Sequence, residues 1–454
     1  MILYQIKSHF VPSHIILKQT SESYIAQNNM SSRSVVQHQN PELTASILDN
    51  HNQYKFTLKN IHTSTANALR RTILSDIPVY CIRTESAEYN QCKIGVNSTR
   101  FHNEILKQRL SCIPIHFPVE KTKVSSVEKW RKEMEKTETN PIVTEDGYDL
   151  LRYELEVDVK NEKDHEMVWV TTENFQLKDS NTGIYLEREE VRKIFPPSEK
   201  TQRYIDFVRL RPPIGSTIPG EAIKLSANFS VASARTNGMF NVASICTFSN
   251  TIDIVKREKH LDAYRKELDA RDDMPTEMKR FELENFNQLQ TQRYFVANSN
   301  GDPIQFDFIV QSIGIYEPTD IVQMGCTIIE DKLSLVAQMA DAQELPIIPS
   351  DRIRESGLYS SVTESSIPNC FDIVLMNEDY TIGNVLERIL YDMYYQDNQI
   401  MNYVGFKKYH PHDSYSIIRV AYHEEQPLLS IYKHIIEAAK HAKVIFEKIR
   451  MKIV

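Results

Sequence analysis

Residues 54–73 and 371–390 carry the same strand–turn–helix pattern, and a chain that writes one unit twice, 317 positions apart, is constrained to build two related halves. Laid over each other without a gap, Leu58 meets Leu375, Asn60 meets Asn377, Asn67 meets Asn384, Leu69 meets Leu386 and Arg71 meets Arg388. Tyr54, Phe56 and Leu58 alternate with Lys55, Thr57 and Lys59, the period of a half-buried strand, and Phe371, Ile373 and Leu375 repeat that face. Ala66, Leu69, Ile73 and Ile77 then fall at helical spacing, with Thr63 or Ser64 expected as the cap and Pro78 as the stop. Because both periods recur, the expected fold is α+β, with two equivalent halves pairing inside one chain as a pseudo-dimer. Its core is expected at Leu69, Ile73, Leu386, Ile389, Ile435, Ala439 and Ala442.

The repeated polar residues are the candidate binding groups. Asn67 and Arg71 lie four apart on a flank of the Leu69/Ile73 face, with Arg70 at its border, so a fork of guanidinium donors stands beside an apolar surface. Such a fork suits bidentate contact with a carboxylate or with backbone carbonyls of a partner. A solvated arginine pair has the same local sequence; recurrence at Asn384 and Arg388 favours the partner surface. Arg109 joins the set, beside Leu106 and Leu110 on a helix expected over 101–111 and ended before Pro114.

The intervening chain changes character. Tyr153, Leu155, Val157 and Val159 alternate with mostly polar residues, and so do Ile223, Leu225, Ala227, Phe229 and Val231, which predicts a β-rich insert. The expected organisation is a flexible arm at 1–45, rich in Ser, Gln and Asn, in which Met30 is an alternative start. The first part of a dimerisation domain follows at 46–118 and the insert at 119–300, ending in charged helical arms at 255–292. The second part of that domain occupies 301–345, a linker 346–369 and a second dimerisation domain 370–454. Within these, Pro318 to about Ala340 reads as a helix with a stripe of Ile321, Ile328, Leu335 and Met339. Leu428, Ile431, Ile435, Ala439, Ala442 and Ile449 line a long final helix.

Several functions are excluded by what the chain lacks. There is no Gly-rich phosphate loop, nucleophile elbow or zinc-hydrolase helix, and no D-x-D-x-D run to hold the metals of nucleotide addition. No catalytic residue, cofactor or metal is therefore expected; His410, His412, Asp413 and His423 read as a turn rather than a metal site. The six cysteines contain no C-x-x-C pair, and no apolar run approaches the roughly 18 residues that span a bilayer, so a reducing intracellular setting without a membrane is expected. With 53 Lys+Arg against 61 Asp+Glu and a formal charge of −8, bulk electrostatics do not draw the chain to nucleic acid.

The stretch Leu58–Pro78, with Asn67-Ala68-Leu69-Arg70-Arg71, followed by Phe101–Ile115, resembles the dimerisation domain of the α-type chains of multisubunit RNA polymerase: bacterial α, the archaeal D chain and the eukaryotic third subunit. Asn377–Leu386, with Gly405-Phe406 and His410-Pro411 beyond it, resembles the archaeal L chain and the eukaryotic eleventh subunit. The resemblance implies a fusion of the two halves of an α-like heterodimer, of a kind similar to subunits of large nucleocytoplasmic DNA viruses. It implies a non-catalytic assembly platform that binds the large catalytic subunits and other small subunits and meets DNA only through the complex, in the host cytoplasm and the virion. The alternative is a stand-alone protein-binding scaffold. Tyr380 stands where the family often has His, and the four-cysteine zinc loop of the eukaryotic third subunit is absent.

Overall fold

The computed structural model describes residues 39–49, 52–117, 150–215, 217–353 and 364–453. The expectations for 1–38, for the start of the insert at 119–149 and for the middle of the linker lie outside the described residues. The chain runs β1 (Glu42–Asp49), β2 (Gln53–Lys59), α1 (Thr63–Ser75), β3 (Pro78–Cys81), β4 (Cys92–Asn97), α2 (Asn103–Ser111), β5 (Tyr153–Lys160), β6 (Val168–Thr171), β7 (Gln176–Asp179), α3 (Arg188–Ile194), β8 (Asp206–Leu210) and β9 (Ala222–Asn228). It continues through β10 (Ser230–Ser233), β11 (Ala243–Asn250), α4 (Ile254–Asp269), α5 (Thr276–Asn285), β12 (Gln305–Ser312), α6 (Pro318–Asp341), β13 (Ile347–Pro349), β14 (Cys370–Met376), α7 (Tyr380–Leu390), β15 (Met401–Lys407), β16 (Tyr415–Tyr422) and α8 (Leu428–Lys452).

Two four-stranded antiparallel sheets carry the repeated units. The first has the order β1-β2-β12-β11 and the second β13-β14-β16-β15. In the first, Phe56 pairs with Phe308 and Leu58 with Phe306, and the Phe56 and Phe308 rings stack at 5.0 Å. Each strand passes into its helix through an asparagine in the left-handed region, Asn60 at φ 58° and Asn377 at φ 57°. Asparagine tolerates that conformation better than other residues bearing a Cβ, which explains why this identity recurs. Helix α1 packs on β11, α6 on β2 and β12, and α7 on β15 and β16. The helices then meet one another, α1 against α7 and α6, and α8 against α6 and α7. Leu69, Ile73, Leu386, Ile389, Ile435, Ala439 and Ala442 are all buried in one continuous apolar core. At Gly325 of α6 an added Cβ would lie 2.9 Å from the Ile73 side chain, so the missing side chain sets how closely α6 approaches α1.

Several sequence readings are corrected. The cap of α1 is His62, which makes no capping bond of its own. Gln39 Oε1 instead accepts from the His62 backbone N–H and the Thr65 hydroxyl, a partner 23 residues upstream that local spacing does not reveal. The helix ends at Ser75, and Pro78 opens a strand rather than stopping the helix. The arm boundary at 45 falls inside β1, which is held by pairing with β2. The insert does not begin at 119, because β3 pairs with β10 and β4 with β9. Nor does it run to 300, because β11 joins the first main sheet beside β12. The linker is sheet at its start: Ile347–Pro349 pairs with Phe371–Ile373 as an edge strand, a position that tolerates Pro349, and Ser350 donates to the Cys370 carbonyl. On α6 the buried stripe is Ile321, Ile328, Leu333, Val336 and Ala340, while Leu335 and Met339 are only half-buried. The helix packs on α8 as well as on the sheet, so its buried positions do not follow one face. Leu428, at the first turn of α8, is exposed.

Candidate docking surface and the seam beside it

The end of α1 brings two neighbouring arginines to different places. Arg70 Nε and Nη2 donate to Asn67 Oδ1 one helical turn back, at 3.3 and 3.2 Å, so Asn67 is joined to Arg70 and not, as the spacing suggested, set beside Arg71. Arg71 points the other way. Its Nε donates to Thr381 Oγ1 at 2.9 Å and its Nη2 to Asp379 Oδ2 at 2.9 Å, both at the start of α7. Asp379 caps that helix with its other oxygen, which accepts from the Thr381 backbone N–H at 2.8 Å. Burial alone would raise the Asp379 carboxyl, but the Thr381 bonds and the Arg71 charge hold it below the ordinary carboxylate value.

The other sequence-selected residues are placed as follows. Arg388 lies 3.0 Å from Asp392 on its own helical extension and stacks its guanidinium over Tyr391. Asn384 is half-buried on α7. Arg109 is exposed, yet its Nε donates to the Phe207 carbonyl and its Nη2 to the Asp206 carbonyl, each at 2.8 Å, tying α2 to β8. Two donors of its fork are thereby taken by β8.

Sequence reasoning missed a charged cluster beside Arg71. Buried Asp76 accepts from Lys332 Nζ at 2.8 Å and from Arg235 Nε and Nη2 at 2.9 and 3.2 Å. Burial opposes its ionisation, yet the two cations hold the carboxyl at about 2. Lys332 Nζ also stands 3.6 Å from Glu378, whose pKa burial raises. On the long helices, buried Glu330 of α6 accepts from Arg450 Nε and Nη2 of α8 at 2.8 and 3.1 Å. Each pair joins residues far apart in sequence, so no local spacing marks them.

Nothing in this constellation resembles a reaction centre. Among the described residues no group of three or more His, Cys, Asp or Glu is placed to hold a metal. His410 and Asp413 form the expected turn, with the His410 backbone N–H donating to Asp413 Oδ2 at 3.0 Å. Burial pushes the Cys81 and Cys246 thiols up to about 12, away from nucleophilic reactivity. Among the described residues no helix is long and apolar enough to cross a membrane.

Two sheet–helix units of one pattern, meeting through helices and ion pairs, define an α+β protein. The chain belongs to the RNA polymerase Rpb3/Rpb11 dimerisation domain family, whose pattern matches residues 55–333. It is 36% identical over 74 residues to DNA-directed RNA polymerase subunit Rpo3 of Pyrococcus furiosus, a stretch covering 16% of this chain and 26% of that protein. It is 41% identical over 61 residues to DNA-directed RNA polymerases IV and V subunit 3B of Arabidopsis thaliana, covering 13% of this chain and 17% of that protein. Both matches span well under two thirds of the relatives' length.

Proposed function

We propose that this chain is a non-catalytic assembly subunit of a DNA-directed RNA polymerase in which both halves of the α-like pair are fused. Residues up to 345 supply the D-type half with its β-rich insert and residues 370–454 the L-type half. The observation that carries the reading is the meeting of offset-317 counterparts: α1 packs on α7, with Arg71 of one reaching the first turn of the other. The family match supports the first half, and the repeated asparagine turns and buried leucines extend the reading to the second. In this role the paired halves form a rigid platform for the large catalytic subunits, and Asn67 and Arg70, with Asn384 on the other half, lie on the outer flanks as docking groups. Arg71 and Arg388 are occupied within the chain and serve the pairing. The reading includes the viral source implied by the fused arrangement, with the host cytoplasm and the virion as the places where the subunit works. A tagged copy expressed in its native setting should co-purify with two large polymerase subunits. Recovery with unrelated proteins would instead establish the stand-alone scaffold, and recovery alone would end both readings.

A further inference from the structure

The two helix crossings related by the repeat are not alike in charge. At one, Arg71 reaches Asp379 and Thr381. At the other, Arg388 lies near the start of α1, where the positions equivalent to Asp379 and Thr381 hold His62 and Ser64. His62 is kept neutral, pushed down to about 4 by burial and by the Arg388 charge. Ser64 Oγ is buried without a hydrogen-bond partner. The counter-ion of Arg388 is Asp392, whose second oxygen lies 3.8 Å from His62 Nε2. The position equivalent to Asp392 in the first half is Ser75, and α1 contains no Asp or Glu at all.

At this seam the first half therefore brings a surplus positive charge on Arg71, and the second half brings one arginine against two aspartates. Lys332 and Glu378 extend the same polarity, basic residue from the first half and acid from the second, and the position equivalent to Glu378 is apolar Ile61. On the long helices the polarity is reversed: α6 of the first half carries Glu330 and Asp331, and α8 of the second answers with Arg450 and with Lys443, which acts on Asp331. On α8 Glu447 also stands 3.7 Å from Lys443, leaving α8 a surplus of one positive charge there, and only first half with second half sets opposite surpluses together at both places. Two first halves, whose Arg71, Arg235 and Lys332 outweigh Asp76, would bring positive surpluses together at one locus and acids together at the other. Two second halves would do the reverse. Bringing like surpluses together is costly, and the mixed pair offsets most of them, leaving Asp331 the least compensated.

We infer that these two loci of opposite polarity select the pairing partner, so that each half accepts the other kind of half and rejects a copy of itself. The chain then closes on itself and does not link to a second copy through like halves. The inference rests on the proposed reading of two paired halves, and the test separates the two. A protease site is placed between residues 354 and 363 of the full chain, two isotopically distinct preparations are cleaved and mixed, and the complexes are weighed by native mass spectrometry. The unaltered protein should yield only complexes of unlike pieces. His62→Asp sets a carboxylate opposite Arg71 in a like pair, and complexes of two first-half pieces should then rise at least about fivefold. Arg71→Glu or Asp379→Arg alone should loosen the unlike complex by about fivefold, reduced by the exposure of both side chains, and the double swap should restore most of the loss. Losses that simply add in the double swap, or no like pairs with His62→Asp, would overturn charge selection. Pieces of the unaltered chain that part on cleavage would overturn the paired-halves reading instead.

Discussion

Asp331 and Arg71 show how one side chain's surroundings settle a measurable property. Burial, the Glu330 charge and then the weaker pull of Lys443 and Arg450 leave the Asp331 carboxyl raised from 3.8 to about 6, and its Oδ2 has no hydrogen-bond partner. A carboxyl raised on folding costs stability wherever it must ionise: the cost is complete above about pH 6 and gone below the unfolded value of 3.8. Asp331→Asn should therefore stabilise the chain, by about 1 kcal/mol at pH 8 once solvent screening of this half-buried group is allowed for, with the gain fading to nothing as pH falls below 4, as urea titrations at a series of pH values would measure. Arg71→Ala leaves Asp379 and Thr381 without their cross-helix donor and should lower stability by about 1 kcal/mol, while Arg70→Ala should leave unfolding unchanged. The sequence marks these arginines as special but not as different from each other. Adjacent residues on a helix point about 100° apart, and only the position of α7 decides which one is consumed.

At the scale of elements, the glycines reveal contacts that periodicity cannot. A Cβ at Gly383 would sit 1.9 Å from Phe406 Cε2, so the face of α7 is flattened to receive an aromatic ring from β15. Gly383→Ala should force that ring aside and lower stability by about 1–3 kcal/mol, read as a drop in melting temperature. Gly325→Ala should cost less, because its nearest obstacle, Ile73 Cγ1, stands at 2.9 Å and not at 1.9 Å. The strands and helices of the repeated units were legible because alternation and 3.6-residue spacing report a single buried face. Helix α6 was read with its C-terminal stripe one face away. It packs on β2 and β12 on one side and on α1 and α8 on others, and a helix enclosed on several sides no longer has one stripe to read.

For the whole molecule, the test is whether the halves need their connection. Cutting the chain after Gly357 should leave two fragments that still migrate together on size-exclusion chromatography at micromolar concentration, since Leu69, Ile73, Leu386 and Ile389 are buried in one core that the cut does not touch. The repeat, the family resemblance and the buried faces of Leu69, Ile73, Leu386 and Ile389 were legible in the sequence, because hydrophobic period is a local requirement written within one unit. Which strands share a sheet, that β3 and β4 belong with β10 and β9, and that β13 edges the second sheet were settled only by the fold. The same holds for Gln39 at the start of α1 and for the ion pairs Arg71–Asp379, Lys332–Asp76 and Arg450–Glu330. Strand pairing and charge pairing depend on groups tens to hundreds of residues apart meeting in three dimensions, and no spacing along the chain encodes that meeting.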